Sequence, residues 1–277
     1  MVTAGGPPPI DSKQSFEALY KRFNHRRYVH PDPLEYLYAF EDPGEREIVG
    51  FLSSSLAYGR VTQILKSISI VLERMGPSPR SFLLSTPDRS ILSCFRGFRH
   101  RFTTGEELSR MLLGLKRVLR EYGSLRECFE AGLERRHETI LPSLSRFVEI
   151  LLDGVRSPNS LLPLPSKGST CKRLNLFLRW MVREDSVDPG GWRGVPASKL
   201  IIPLDTHMHR ICRALGLTSR RQADMRTALE VTRHFRRINP GDPVRYDFSL
   251  TRLGIRRDTD LEKSLSRHFP SISPSSG

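Results

Sequence analysis

Apolar residues along this chain recur at three- and four-residue spacing in segment after segment, and that periodicity constrains the fold more than any single motif. Phe16, Leu19, Tyr20 and Phe23 form one stripe, and Ile48, Phe51, Leu52, Ser55 and Leu56 form another. Ile64, Ile68, Val71 and Leu72 follow, ended by Gly76-Pro77, and later come Leu108, Met111, Leu112, Leu115 and Leu119, then Ile140, Leu144, Phe147 and Leu151. Residues three and four apart share one face of an α-helix, so each stripe predicts an amphipathic helix with its apolar side in a core. No convincing hairpin signal interrupts them. The spacing predicts an all-α protein with short connections and no internal repeat.

Three more helices follow. Leu174, Phe177, Leu178 and Met181 mark a stripe after Lys172, and Met208, Ile211, Cys212 and Leu215 mark one after Asp205, with Gly216 as its stop. A helix over about Asp224 to Ile238 ends at Asn239-Pro240-Gly241-Asp242-Pro243, and Tyr246, Phe248, Leu250 and Leu253 open a last one. Residues 1–12 are Gly/Pro-rich and 270–277 Ser/Pro-rich, which reads as two flexible tails around one domain over 13–269.

Composition narrows the partners. Of 277 residues, 38% are hydrophobic, enough for a sizeable core without staples. The formal charge of +14 favours an anionic partner, nucleic acid before an acidic small molecule. Only 8 of the 44 basic residues are Lys, and an Arg-for-Lys bias also arises from genome composition. Cys94, Cys128, Cys171 and Cys212 form no C-x-x-C pair, so neither a zinc knuckle nor an iron-sulfur loop is written here, and no metal or cofactor is expected. No apolar run approaches about 18 residues, and the first residues lack a charged n-region followed by an apolar one. The expectation is a cytoplasmic, nucleoid-associated monomer without membrane contact.

Lys172 precedes Asp205 by 33 residues (205 − 172), and each stands where a helix begins. An amine at one helix start facing a carboxylate at another is a nucleophile-and-activator arrangement, and the positive potential of a helix start favours a neutral, nucleophilic amine. Each residue also has a plain structural reading: Lys172 as a solvated lysine, Asp205 as an N-cap receiving amide hydrogen bonds from the next turn. Lys167 and Lys199 are rival amines. His207 and His209, two apart, point away from each other on a helix and lack the spacing that shares a zinc ion. Leu162 to Ser169 is a Pro-then-Gly turn that suits either a helix-hairpin-helix element, whose amides bind phosphate, or an ordinary connection.

Ile202-Pro203-Leu204-Asp205-Thr206-His207-Met208-His209-Arg210-Ile211 resembles the catalytic segment of the helix-hairpin-helix DNA glycosylases. Phe51 to Arg60 looks like that superfamily's L-S-Q-Q-T-type segment, with Ser and Tyr in place of its glutamines, and Tyr246 to Gly254 looks like its late helix ending in L-G. The hairpin departs from the common L-P-G-V-G-x-K pattern. Thr170 holds the expected lysine position and Lys172 comes two later, and the long Lys-to-Asp interval with a modified hairpin is similar to the archaeal 8-oxoguanine glycosylase branch. The string from Cys171 to Arg183 most closely resembles a related bacterial family of unassigned function.

The resemblance covers about residues 31–256. It implies a two-lobed helical body, with 161–216 as hairpin and catalytic core, and a damaged base flipped out of duplex DNA. By carry-over, Lys172 attacks C1′ and forms a Schiff base while Asp205 assists, and β-elimination cleaves the strand, with an oxidised purine such as 8-oxoguanine as substrate. Gly168, Ser169, Arg173 and Arg60 are the implied DNA contacts, and Tyr58, Trp180 and His207 the implied pocket or wedge residues. The rivals are a glycosylase without covalent chemistry, a non-catalytic binder of damaged or bent DNA, and an RNA-directed protein.

Overall fold

The structure is a computed structural model that describes residues 11–153, 159–255 and 268–269. Among them it is helical apart from one two-stranded ribbon. The first helix, α1 (Asp11–Phe23), opens inside the segment 1–12 expected as a tail. The rest of that segment, through residue 10, and the tail over 270–277 lie outside the described residues.

The predicted stripes become α2 (Pro43–Ser55), α3 (Val61–Met75), α6 (Gly105–Tyr122) and α8 (Leu141–Leu152). Between them lie α4 (Pro79–Ser85), α5 (Asp88–Cys94) and α7 (Leu125–Glu130), each under two full turns and too short to write a stripe. The later helices are α9 (Lys172–Val182), α10 (Thr206–Ala214), α11 (Met225–Ile238) and α12 (Asp247–Ile255).

Close approach is arranged by glycine. α2 is buried on every face from Glu47 to Ser55 and packs on α9 and on a 3-10 segment, Pro33–Ala39. A Cβ on Gly114 of α6 would sit 2.5 Å from the carbonyl oxygen of Leu151, so α6 and α8 touch backbone to side-chain-free backbone there. The N-terminus of α6 carries a capping box: Thr104 Oγ1 accepts the Glu107 amide and Glu107 accepts the Thr104 amide, satisfying two orphan donors.

A charged knot ties the second half of the chain together. Arg179 in the last turn of α9 and Arg183 just after it are buried, with Asp188, also buried, between them. Arg179 also pairs with Asp247 at the start of α12, and Arg183 reaches Asp242 at 2.8 Å and Asp185 at 2.7 Å. From α1, Tyr20 donates its hydroxyl to Asp185 at 2.9 Å. Burial opposes both guanidinium charges, and the surrounding carboxylates more than offset it, holding both arginines firmly protonated.

The ribbon is the element for which the sequence carried no signal. β1 (Arg99–His100) pairs antiparallel with β2 (Thr103–Thr104), Arg99 opposite Thr104 and His100 opposite Thr103. That leaves a two-residue loop, Arg101-Phe102, with Arg101 left-handed at φ 54°. Such loops normally take Asn or Gly there, so Arg-Phe gave no turn signal.

Candidate active site

Capping brings Asp205 to its place. The backbone at Asp205 is extended (φ −110°, ψ −176°), and its Oδ1 accepts the Met208 amide at 2.8 Å, closing the first turn of α10. The second oxygen remains available. Across from it, α9 begins after Cys171, whose left-handed backbone (φ 49°, ψ 37°) turns the chain into the helix so that Lys172 is its first residue. Lys172 Nζ lies 3.5 Å from Asp205 Oδ2, with both side chains partly open to solvent. Cap and ion pair thus use different oxygens of one carboxylate.

The pair lines a cavity of about 260 Å³ whose other walls are Asp32, Leu176, Arg179, Pro203, His207, Asp247, Phe248, Thr251 and Arg252. Four chain segments converge there: the lead into the Pro33–Ala39 3-10 segment, α9, the start of α10, and α12. Arg252 is held by Asp32 at 3.1 Å and by the carbonyl of Tyr28, and its guanidinium lies 4.4 Å from the Phe248 ring centroid. Three polar atoms on residues of this wall have no hydrogen-bond partner among the described residues: His207 Nε2, Asp247 Oδ1 and Arg252 Nε. The lining carries the charged groups of Asp32, Lys172, Arg179, Asp205, Asp247 and Arg252, which suits a polar occupant. Burial raises the Asp247 carboxyl above the ordinary carboxylate range, against the pull of Arg179.

The remaining residues singled out from the sequence fall into different places. Lys199 donates to the carbonyls of Glu134 and Arg135, and Lys167 sits exposed in a 3-10 turn outside the cavity lining. His209 is buried with Nε2 on the Arg220 carbonyl. Tyr58 is half-buried and Arg60 exposed, beside the ribbon rather than in the cavity.

Three of the expected contacts are corrected. Trp180 is fully buried in α9, so it is core and no wedge. Arg173 donates to the carbonyls of Ser55 at 2.6 Å and Ser160 at 2.5 Å, binding α2 to the 159–162 loop instead of presenting its guanidinium to a phosphate. The Gly168 amide is spent on the Pro165 carbonyl, and its own carbonyl accepts the Met225 amide at the start of α11. Residues 159–164 before that turn are not helical, so the Pro-then-Gly segment is a 3-10 turn without a helix immediately on its N-terminal side. Ser169, exposed, takes the Cys171 amide on its hydroxyl at 3.2 Å.

Asp32, Arg179, Asp247 and Arg252 were not singled out from the sequence. Their signal was weak: each is a polar residue in an apolar neighbourhood, visible only once its partner is known. Residues 32–256 match a protein family described as Protein of unknown function (DUF2400). The chain belongs to that family. No curated protein and no solved structure matches it. In this DUF2400 chain the matched span holds every residue that lines the cavity.

Proposed function

We propose that this DUF2400 chain is a DNA glycosylase with an associated abasic-site lyase activity, working in base-excision repair. The observation that carries the reading is the Lys172–Asp205 pair at 3.5 Å on the wall of a cavity lined largely by polar and charged residues. In this reading Lys172 attacks C1′ of the damaged nucleotide, the N–C1′ bond forming as the glycosidic bond breaks and the base leaves with its electron pair. Asp205 takes the ammonium proton and steadies the positive charge that develops on the sugar. Loss of a nitrogen proton and opening of the C1′–O4′ bond, whose oxygen is protonated, then give the protonated Schiff base, which acidifies the 2′ proton, and removal of that proton expels the 3′ phosphate. The cavity, just below the ~300–1,000 Å³ common for drug-sized ligands, suits one flipped base rather than a longer stretch of strand. An oxidised purine such as 8-oxoguanine is the proposed lesion.

The packing supports a two-lobed reading of the body. α6 gathers α4, α5, α7 and α8 around it, while α12 packs on α1 and α10. The turn at Gly168 would be the counterpart of the glycosylase hairpin, in a modified form. A net charge of +14 favours a polyanionic partner.

Borohydride trapping on duplexes carrying oxidised purines or abasic sites tests the reading. Wild-type protein is expected to form a covalent adduct that Lys172→Gln abolishes. An adduct that survives Lys172→Gln moves the nucleophile elsewhere, and no adduct and no base release on any duplex leaves a non-catalytic DNA binder.

A further inference from the structure

Phe102 is the most exposed large apolar side chain among the described residues, 63% accessible, and it stands at the tip of the β1–β2 ribbon. An isolated exposed phenylalanine is unremarkable in itself. Here it is braced. Its ring stacks on Tyr58 with centroids 5.0 Å apart and planes 27° apart, and behind Tyr58 lies the Arg173 guanidinium at 4.9 Å. The Tyr58 hydroxyl is locked between the His100 carbonyl at 2.9 Å and Thr103 Oγ1 at 2.5 Å, and Thr103 Oγ1 also meets Ser160 Oγ at 2.9 Å. His100 is buried, its ring held by Ser67 and by the Tyr58 carbonyl. The inward residues of the ribbon therefore clamp it to α3 and the 159–162 loop, and the outward pair Arg101-Phe102 is presented at its tip.

Two further features mark the tip as built for an occupant. Arg101 adopts a left-handed backbone that a β-branched or bulky residue rarely takes, and Gly59, at φ 101°, leaves room for it: a Cβ there would lie 2.8 Å from Arg101 Cδ. Arg99 and Arg101 of the ribbon and Arg60, which follows Gly59, are all exposed. An exposed aromatic face on a ribbon that carries exposed arginines complements a flat aromatic group joined to phosphates. A nucleobase in its strand has that chemistry.

We propose that Phe102, backed by Tyr58, is a stacking platform for an unpaired nucleobase of DNA, with Arg60 and Arg101 taking the flanking phosphates. Arg173 follows Lys172 directly in the chain and touches Tyr58, so the platform adjoins the start of α9. The proposal rests on the DNA-binding half of the proposed function and is independent of the Lys172 chemistry.

The test is fluorescence anisotropy of the full chain on a short duplex carrying one tetrahydrofuran site, with single-stranded RNA of the same sequence as the comparison. Phe102→Ala is expected to weaken duplex binding by about tenfold, and Phe102→Trp to retain it. Both native tryptophans, Trp180 and Trp192, are buried, so the red-edge emission of Phe102→Trp reports on position 102, and DNA is expected to quench it. If Phe102→Ala binds within about twofold of wild type and that emission does not move, the platform is wrong while DNA binding stands. If wild type binds no duplex, the functional reading fails and takes the platform with it. Tighter binding and stronger quenching by the RNA would overturn the choice of DNA.

Discussion

Lys172 Nζ and Asp205 Oδ2 lie 3.5 Å apart, while the other Asp205 oxygen caps α10 through the Met208 amide. This division of labour separates two properties that mutation can dissect. Asn caps a helix about as well as Asp but carries no charge. Asp205→Asn should therefore melt close to wild type, whereas Asp205→Ala should lose about 1 kcal/mol. Both should lose borohydride trapping, as Lys172→Gln should. Equal trapping by Asp205→Asn and wild type would remove the carboxylate charge from the chemistry.

Arg179 sits between two buried carboxylates, so removing it strands Asp247 and leaves Asp188 with Arg183 alone. Arg179→Met keeps much of the volume and leaves Asp188 and Asp247 without their shared cation, at a cost of about 3–5 kcal/mol. Urea unfolding measures it. A loss below about 1 kcal/mol would mean that the knot contributes little to holding α9 against α12.

Glu47 gives the fold a pH dependence. Its carboxylate is buried in α2, accepts the Leu125 and Arg126 amides and the Trp192 indole, and is pushed up to about 7 by burial against those hydrogen bonds. The folded state therefore holds this proton more tightly than the unfolded chain, whose glutamate titrates near 4.5. Stability from this group is fully present below about pH 4.5 and is lost as pH rises through about 7. Wild type minus Glu47→Gln, compared across that window by thermal melting, isolates the slope. The variant itself should lose about 1–3 kcal/mol, because its amide turns N–H groups toward N–H donors.

Gly114 admits no side chain. A Cβ 2.5 Å from the Leu151 carbonyl must push α6 from α8, so Gly114→Ala should destabilise by about 1–3 kcal/mol despite alanine's better helix propensity. A variant as stable as wild type would show that the two helices separate freely.

The long helices were legible because their stripes are regular, and Asp205 was legible as a cap because Asp before a helical segment has one common use. Trp180 misled because α9 is buried from Leu174 to Met181, and a helix covered all round has no face that tells core from surface. Arg173 misled for another reason: nothing local says that two carbonyls from residues 55 and 160 will reach its guanidinium. The ribbon was invisible because its turn takes a conformation that its residues do not advertise. The polar cavity wall was equally hidden, since Asp32, Asp247 and Arg252 acquire meaning only through partners more than 60 positions away.

Because one Asp205 oxygen is tethered to the opening turn of α10, fraying of that turn and loss of the lysine's neighbour are the same event. Amide exchange at Met208 thus reads out how long the site stays assembled. A ligand that engages Lys172 and Asp205 together should slow that exchange locally, well before it shifts the melting of the whole protein.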